Sequence, residues 1–496
     1  MPDPQRDVPD TRMLIGGERP ALDPAATMAV HSPIDGAVLG EIADAGPEQV
    51  GAAIGAAEDA FADWRRVSGG ERARLMHRLA DLIERDADRL ARLESRDNGK
   101  LLRETRAQAA FAARNYRFFA GLADKIDGRT VPLDAWETFD YTRREPVGVA
   151  ALITAWNSPM QLLANKLAPA LAAGCTVVVK PSEIAPMTTL AMPDLLAEAG
   201  FPDGVVNIVT GGVTAGEALT TDPRLGTISF TGSVPTGQAI ARAAAQTLVP
   251  VTLELGGKSA NVIFDDADLD RAVPGAVAGI FAAGGQACIA GSRLLVHEGV
   301  ADEVERRLAE RARAIVLGDP FADATQLGPV VSTAQRDRIL GHIDAARGSA
   351  RLLAGGGAPD DPALAAGSYV EPTVFADVDP ASPLAQQEVF GPVLAITRFA
   401  TEEEAITIAN GTEFGLASGV WTENLARAHR VARELIAGTV WVNTYRYSAA
   451  QAPFGGVRRS GHGRERGIEA IEGYLRTKNV LIDLSDEVRD PFAIKA

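Results

Sequence analysis

The stretch Val147-Gly148-Val149-Ala150-Ala151-Leu152-Ile153-Thr154 is apolar almost throughout and carries no charge. It predicts a buried β-strand. Further apolar runs follow, and each is separated from the next by residues with helical spacing; these runs cover residues 176–179, 205–209, 227–230 and 251–255. Strands that alternate with helices in this way predict right-handed βαβ crossovers and a parallel sheet, as in nucleotide-binding folds.

The segments on either side extend this α/β pattern. Residues 45–123 are rich in Ala, Leu, Arg and Glu with apolar positions at helical spacing, so they predict helices. A second α/β stretch runs from residue 260 to about 438, with an amphipathic helix near 301–315 and a strand near 393–398. Apolar and polar residues alternate over 474–484. A lone terminal strand needs a partner edge, so this one could add to a sheet of another subunit.

Composition limits the classes of function. A chain of 496 residues is long enough for two or three domains. A net charge of −16, from 49 basic and 65 acidic residues, argues against nucleic acid or an anionic membrane as the main partner. Two cysteines cannot form a disulfide framework, and the longest apolar run, 167–179, is shorter than the ~20 residues of a membrane span. Residues 1–7 predict a frayed tail, so we expect a cytoplasmic protein.

One cysteine stands in a segment suited to nucleophilic chemistry, Gly284-Gly285-Gln286-Ala287-Cys288-Ile289-Ala290-Gly291-Ser292-Arg293. A thiol attacks as the thiolate, which nearby cations and exposed backbone N–H groups favour. Taken alone, the segment is equally typical of a small buried apolar residue.

A second segment, residues 230–237, follows a predicted strand with a polar turn at a helix start. Its N–H groups and hydroxyl are suited to a pyrophosphate, although such turns more often only cap a helix. The sequence has no Gly-x-Gly-x-x-Gly in a strand–turn–helix context.

Seven segments together carry a resemblance to a known family. They are Ala155-Trp156-Asn157, Lys180-Pro181-Ser182-Glu183, Phe230-Thr231-Gly232-Ser233, Leu253-Glu254-Leu255-Gly256-Gly257-Lys258, the Cys288 segment, Gln387-Glu388-Val389-Phe390-Gly391-Pro392 and Pro453-Phe454-Gly455-Gly456. In order and spacing they resemble the NAD(P)-dependent aldehyde dehydrogenase superfamily of the hydrolytic, non-acylating type, over roughly residues 15–484. The family often has Pro where Ala155 stands, a difference that removes no functional group.

The resemblance implies an α/β fold with two Rossmann-like domains on parallel sheets and a small β oligomerisation arm. Residues 1–127 and 147–256 would form the cofactor-binding domain, and 257–459 the catalytic domain. Residues 128–146 and 460–496 would form the arm and C-terminal tail. A homodimer or a homotetramer is expected.

The resemblance also assigns catalytic roles. Cys288 would add to the aldehyde carbonyl to form a thiohemiacetal, because a bare carbonyl carbon cannot readily expel hydride. The side chain of Asn157 and the N–H of Cys288 would hold the oxyanion. Glu254 would activate water to hydrolyse the thioester that follows, and its apolar neighbours predict a raised pKa. Lys166 and Glu465 match positions linked to a proton path behind that base.

For the cofactor, Lys180 and Glu183 would bind the adenosine ribose, Ser233 the pyrophosphate and Glu388 the nicotinamide ribose. Glu183 would repel a 2′-phosphate and Lys180 would attract it, so we predict a preference for NAD with some use of NADP. The remaining expected cofactor contacts are Ile153, Thr154, Trp156, Ser182, Gly216, Phe230, Thr231, Gly232, Leu255, Gly256 and Phe390.

The expected substrate tunnel contains several polar or small residues. Its predicted lining is Ser158, Leu162, Asn165, Ala282, Ile289, Arg446, Ser448 and Phe454. Several relatives have aromatic residues at some of these positions, so a wider and wetter tunnel for a polar or functionalised aldehyde is expected. Arg446 is a candidate to bind a substrate carboxylate, although a loop arginine more often faces solvent or backbone. No metal-ligand spacing is present, so no metal is predicted in the chemistry.

Three other interpretations remain open from the sequence. A CoA-acylating dehydrogenase would use CoA instead of water, and Glu254 argues against it. A catalytically silent member with a binding role would be favoured by loss of the thiol, the base or the oxyanion asparagine, and all are present. A Cys–His hydrolase is the third, but none of the six histidines stands in a recognisable dyad motif.

Overall fold

A computed structural model of the protein describes residues 8–486 and Phe492. Residues 1–7, for which a frayed tail is predicted, and the end of the predicted C-terminal tail (487–491 and 493–496) lie outside the described residues. The strands are β1 (Thr27–His31), β2 (Val38–Ala43), β3 (Thr130–Val131), β4 (Thr138–Pro146), β5 (Val149–Ile153), β6 (Thr176–Lys180), β7 (Val206–Ile208), β8 (Leu225–Thr231), β9 (Val251–Glu254), β10 (Ala260–Ile263), β11 (Arg293–His297), β12 (Arg351–Ala354), β13 (Thr373–Ala376), β14 (Val393–Phe399), β15 (Ala417–Trp421), β16 (Thr439–Val442), β17 (Gly461–His462) and β18 (Leu475–Asp483).

The helices match the predicted helical segments in position, with boundaries that differ by a few residues. They are α1 (Pro47–Trp64), α2 (Gly69–Arg85), α3 (Ala87–Asn98), α4 (Leu102–Ala120), α5 (Pro159–Ala173), α6 (Met187–Leu190), α7 (Met192–Ala199), α8 (Val213–Thr220), α9 (Val234–Thr247), α10 (Leu269–Phe281), α11 (Glu298–Arg313), α12 (Thr333–Ala346), α13 (Pro383–Gln386), α14 (Glu402–Asn410) and α15 (Leu425–Glu434). Two helices, α6 and α7, connect β6 to β7, because α7 begins afresh with Pro193 in its first turn.

The first large sheet contains the five predicted strands. Its order is β17-β9-β8-β5-β6-β7, and every pairing is parallel except that of β17 with β9. Strand β5 is buried along its whole length. Its alternate side chains enter two different hydrophobic cores, Ala150 and Leu152 on one face and Val149, Ala151 and Ile153 on the other. Burial on both faces explains why this strand is apolar without alternation, and the predicted parallel sheet is confirmed.

The second large sheet has the order β12-β13-β14-β11-β10-β15-β16. Its strands are parallel except for β12, which pairs antiparallel with β13 at one edge. The two parallel-dominated sheets confirm the predicted fold class, while the domain boundaries remain a prediction. Within the described residues, no helix is both long and apolar enough to cross a membrane.

A third, small sheet has the order β18-β4-β3. Strand β18 pairs antiparallel with β4 along its full length, from Leu475 opposite Pro146 to Asp483 opposite Thr138. The terminal strand therefore finds its partner edge within its own chain. Because β18 is the edge strand of this sheet, its other edge has no strand partner within the described residues, and its addition to a sheet of another subunit stays a prediction.

The register of the first sheet brings predicted site residues into neighbouring positions. Ile153, at the carboxyl end of β5, is paired with both Lys180 of β6 and Phe230 of β8. In the next pair, Thr231 lies opposite Glu254. In open parallel sheets ligands bind beyond the carboxyl ends of the strands, and these side chains stand at that edge.

Candidate active site

A cavity of about 1260 Å³ opens at the carboxyl edge of the first sheet. Predicted cofactor residues make up much of its wall: Ile153, Thr154, Trp156, Lys180, Ser182, Glu183, Gly216, Phe230, Thr231, Gly232 and Ser233. The hydroxyl of Thr154 is buried in this wall and has no hydrogen-bond partner among the described residues. The volume, the position at the sheet edge and this free polar group all fit a bound dinucleotide.

Two parts of the cavity wall differ in chemistry. The ammonium of Lys180 lies 3.7 Å from the carboxylate of Glu183, so a cation and an anion stand together in one part. In the other, Ser233 caps α9, and its hydroxyl accepts from the N–H of Thr236 at 3.4 Å. The N-terminus of a helix attracts anions. Ser233 therefore caps a helix at the same place where the sequence suggests a pyrophosphate site.

The other predicted cofactor residues lie beyond that cavity, towards Cys288. The carboxylate of Glu388 accepts a hydrogen bond from the N–H of Gly257 at 2.9 Å and lies against Gly256, where a Cβ carbon would collide with it. Phe390 contacts Trp156 edge to face, with ring centroids 5.2 Å apart. Leu255 packs under Gly237 in the first turn of α9.

Cys288 is half-buried in the connection between α10 and β11. The side-chain amide of Asn157 donates to the carbonyl of Gln286 at 2.9 Å, two residues before the thiol. An amide has two N–H donors, so one remains for a ligand. The structure brings Asn157 and Cys288 together although they lie far apart in the sequence.

The electrostatic surroundings of the thiol differ from the expectation. Burial, followed by the charges of Glu388 and Glu254, raises the pKa of Cys288 to about 12. Arg293, the arginine that follows in sequence, donates to the carbonyls of Lys258, Ile408 and Ala409 and does not serve the thiol. The cation that opposes this rise is Arg466. The expected thiolate stabilisation by the nearby arginine was therefore wrong.

Glu254 ends β9 and is 3 % exposed. Neither oxygen of its carboxyl group has a hydrogen-bond partner in the described structure. Burial, reinforced by the neighbouring charge of Glu465, raises its pKa well above the ordinary value. Gly455 leaves room for it, because a Cβ carbon there would lie 2.6 Å from the carboxyl oxygen. A buried, unsatisfied carboxyl group with a raised pKa is suited to proton transfer.

A buried polar cluster lies behind Glu254. Lys166 and Glu465 form an ion pair with both side chains buried, and Lys166 also donates to the hydroxyl of Ser229 at 3.0 Å. Asn165 donates to the second oxygen of Glu465 at 3.1 Å and accepts from Asn115 at 3.2 Å. Asn165, predicted to line the tunnel, is instead 1 % exposed and belongs to this cluster. The side chains at 165 and 166 both turn inwards, which spacing alone did not indicate.

The remaining residues predicted to line the tunnel differ in their burial and in their hydrogen-bond partners. Leu162 and Ile289 are half-buried, and Ser158 accepts a hydrogen bond from Lys100 at 2.6 Å. Arg446 donates to the carbonyl of Ala282 at 3.0 Å. A backbone contact of this kind is the alternative to carboxylate binding that the sequence left open for this loop arginine.

Ser448 and Phe454 both contact Arg466. The guanidinium of Arg466 donates to the hydroxyl of Ser448 and lies 4.3 Å from the ring centroid of Phe454. Arg466 was not predicted as a site residue. It lies at a bend with φ of 59°, and spacing along the sequence does not indicate where the side chain of such a residue points.

Lys258 was also missed. It is 2 % exposed, its ammonium has no hydrogen-bond partner in the described structure, and burial lowers its pKa to about 7. Glu388 is the carboxylate whose charge opposes that shift. The Gly-Gly-Lys run was noted for its glycines, and nothing in the sequence showed that the lysine turns inwards.

Comparison with known proteins agrees with this geometry. Residues 22–480 match the model of the aldehyde dehydrogenase family. The chain is 45 % identical over 480 residues to the (Z)-2-((N-methylformamido)methylene)-5-hydroxybutyrolactone dehydrogenase of Acinetobacter baylyi, covering 95 % of this chain and 97 % of that protein. It is 47 % identical over 461 residues to a betaine aldehyde dehydrogenase of Cereibacter sphaeroides, covering 92 % and 94 %.

A solved structure is similar throughout. PnpE from Pseudomonas sp. WBC-3, in its complex with nicotinamide adenine dinucleotide, has a TM-score of 0.95 and 45 % sequence identity, covering 97 % of this chain and 99 % of that chain. The chain therefore belongs to the aldehyde dehydrogenase family and is an oxidoreductase of that class.

Proposed function

We propose that the protein oxidises a polar aldehyde to a carboxylic acid with NAD, by way of a thioester on Cys288 that water hydrolyses. The observation that carries the proposal is the pairing of a thiol with an unsatisfied, buried carboxyl group. The charge of Glu254 acts on the Cys288 thiol. Glu254 is paired in the sheet with Thr231, which lines the cavity that fits a dinucleotide.

The first step is addition of the Cys288 sulfur to the aldehyde carbon. The raised pKa of Cys288 favours the thiol, so its proton passes to water as the C–S bond forms. The Asn157 amide, held by Gln286, donates to the developing oxyanion. Glu388 would hold the ribose of the nicotinamide, and NAD bound there would supply the acceptor for the hydride of the thiohemiacetal.

The second step is hydrolysis of the thioester. Glu254 takes a proton from water as the water oxygen attacks the thioester carbon, and the Cys288 thiolate departs. The raised pKa of Glu254 suits it to hold that proton near neutrality. Glu465 lies behind it, fixed by Lys166 and Asn165, and supports a route by which the proton leaves.

The preference for NAD over NADP rests on Glu183. Its carboxylate lies in the cavity wall beside Lys180, and it would repel a 2′-phosphate. Lys180 is largely buried, and burial lowers its pKa. The balance favours NAD, with some use of NADP.

Polar residues in the tunnel support a polar substrate. Ser158 and Ser448 stand where an apolar wall would need larger side chains, and Lys100, Arg446 and Arg466 lie next to them or to Cys288. Both curated relatives named above carry names that specify functionalised substrates, betaine aldehyde and a hydroxybutyrolactone derivative.

We also keep two coarser proposals from the sequence. The sheet β18-β4-β3 exposes Phe139, Leu481 and Ile482, which supports an interface between copies of this chain in a homodimer or homotetramer. A cytoplasmic location stays a prediction from the scarcity of cysteine.

Product analysis in labelled water tests the proposed chemistry. With NAD, an aldehyde and no CoA, the acid formed should carry one oxygen from ¹⁸O-labelled water, allowing for aldehyde hydration. Formation of a CoA thioester, and of acid only when CoA is present, would contradict hydrolysis and indicate the acylating reaction.

A further inference from the structure

Arg466 is buried in the active site without a carboxylate partner. It is 6 % exposed, its Nε is buried without a hydrogen-bond partner, and no described carboxylate oxygen lies within ion-pairing distance. Its guanidinium lies 4.3 Å from the ring centroid of Phe454 and 5.5 Å from that of Phe111. Burying a guanidinium charge that contacts only aromatic rings and one hydroxyl costs free energy, unless a ligand supplies a further hydrogen-bond acceptor.

Two more cations approach the same thiol. Lys100 and Arg446, like Arg466, each interact electrostatically with Cys288. Lys100 is held by Ser158 and Arg446 by the carbonyl of Ala282. Arg446 likewise makes no ion pair within the described residues, and Glu104 acts on it only at longer range.

The carboxyl groups nearby do not neutralise these arginines. Glu465 is engaged by Lys166, and burial raises the pKa of Glu254, which disfavours its charged form. Burial also raises the pKa of Glu388 to about 7, and that carboxylate accepts from Gly257. Neither Arg446 nor Arg466 therefore forms an ion pair with a carboxylate of the described residues.

Backbone geometry gives a further sign that the arginines are held in place. Arg446 has φ of 65° and Arg466 has φ of 59°, in the left-handed region that arginine rarely adopts. Such strain persists where the surrounding structure imposes it, and it concentrates at functional sites. Both residues are held in this conformation by the structure around them.

We propose that Arg466, with Arg446, binds a carboxylate on the substrate, so that the enzyme prefers aldehydes carrying a negative charge at the end remote from the carbonyl. This inference rests on the proposed function and names its substrate class. The free edge of Arg466, opposite the bond to Ser448, matches the two oxygens of a carboxylate. The same charges disfavour a cationic aldehyde such as betaine aldehyde, the substrate named for one relative.

The test compares aldehydes of matched length and different charge. The kcat/KM of the wild-type protein is measured with NAD for succinic, glutaric and adipic semialdehydes, for butanal, pentanal and hexanal, and for betaine aldehyde. At the best length, the anionic aldehyde should exceed its neutral partner by roughly 10- to 100-fold, as a charged hydrogen bond implies. Betaine aldehyde should be the poorest.

Arg466→Met should reduce kcat/KM for the anionic aldehyde by roughly 10- to 100-fold more than that for the neutral aldehyde, whose smaller loss reports the effect of Arg466 on Cys288. Arg466→Lys should retain part of the advantage. Arg459→Met, which changes an exposed arginine paired with Glu413, should change neither. Equal losses for neutral and anionic aldehydes would overturn the proposal, because Arg466 would then act only on Cys288 or Glu254.

Two further readouts separate the possible failures. If wild type oxidises neutral or cationic aldehydes as well as anionic ones, the substrate class is wrong and the proposed function stands, even where Arg466→Met does not fold. If wild type oxidises no aldehyde, the proposed function fails; the anion site is then judged by glutarate binding to Cys288→Ala. If Cys288→Ala binds glutarate and the double variant with Arg466→Met does not, the anion site is supported. If Cys288→Ala does not bind glutarate, the anion site is refuted.

Discussion

The main chain at Gly257 passes directly against the carbonyl oxygen of Cys288. A Cβ carbon on Gly257 would lie 2.5 Å from that oxygen, closer than van der Waals contact allows. Gly257 also donates its N–H to Glu388. One glycine thus spaces the nucleophile from a proposed cofactor-binding carboxylate.

Gly257→Ala should therefore displace the thiol and lower kcat by roughly 100-fold, as a small misplacement of reacting groups can. Gly341→Ala is the matched control, because its added methyl group meets nothing within 4 Å on α12. That control should leave kcat unchanged and the melting temperature equal or slightly higher. Wild-type kcat in Gly257→Ala would show that the close approach does not position Cys288.

Glu254→Gln should block thioester hydrolysis more than thioester formation. We expect a burst of NADH equal to the concentration of active sites, followed by turnover slower by about 100- to 10,000-fold. Stopped-flow absorbance and mass spectrometry of the acylated protein measure both. Glu469→Gln, at an exposed position, should behave as wild type. Steady turnover at the wild-type rate, without a burst, would show that Glu254 is not the base that activates water.

The Lys166–Glu465 pair should stabilise the fold only as a pair. Removing one partner leaves a buried charge uncompensated, so Lys166→Met and Glu465→Gln should each lower the free energy of unfolding by about 3–5 kcal/mol. The double variant should lose less than the sum of the two. Urea denaturation measures these differences, and strictly additive losses would mean that the two side chains do not depend on each other.

Cys288 should react slowly with iodoacetamide at neutral pH when no cofactor is bound, because its pKa is raised to about 12. Glu388 contributes to that rise through its negative charge, so Glu388→Gln should lower the pKa of the thiol. The alkylation rate should then be higher at pH 8, with its pH profile shifted to lower pH. An unchanged or slower rate would show that Glu388 does not act on the thiol.

Glu183→Gln should change cofactor selectivity. Removing the carboxylate that faces the proposed ribose site should raise kcat/KM for NADP and reduce the preference for NAD. Saturation curves for both cofactors measure it. A wild-type KM that is lower for NADP than for NAD would contradict the proposed preference at once.

The fold was predictable because its main signals are local. The run 147–154 is buried on both faces in β5, and such strands lack polar residues. Local pattern did not predict that β18 pairs with Thr138–Pro146, which lies more than three hundred residues earlier in the chain, although the family resemblance grouped the two segments. Pairing between distant strands depends on how the rest of the chain packs.

The site was predictable where residues follow a strand end or stand in a family motif. Glu254 and Lys180 end strands of the first sheet, and the cavity lies there. The direction of a side chain within a helix or a loop was not. The side chain of Asn165 donates to Glu465, that of Arg293 donates to backbone carbonyls, and that of Arg466 packs against Phe454. None of these contacts was predicted. These directions are set by packing that spacing does not record.

The most direct test of the central claim is NADH formation from an aldehyde without CoA, in wild type beside Cys288→Ala. The panel should include aliphatic, aromatic, amino- and carboxy-aldehydes. We predict turnover by wild type with at least one class and none by Cys288→Ala, with both proteins equally folded by circular dichroism. Equal NADH formation by the two proteins would contradict a reaction that passes through a thioester on Cys288.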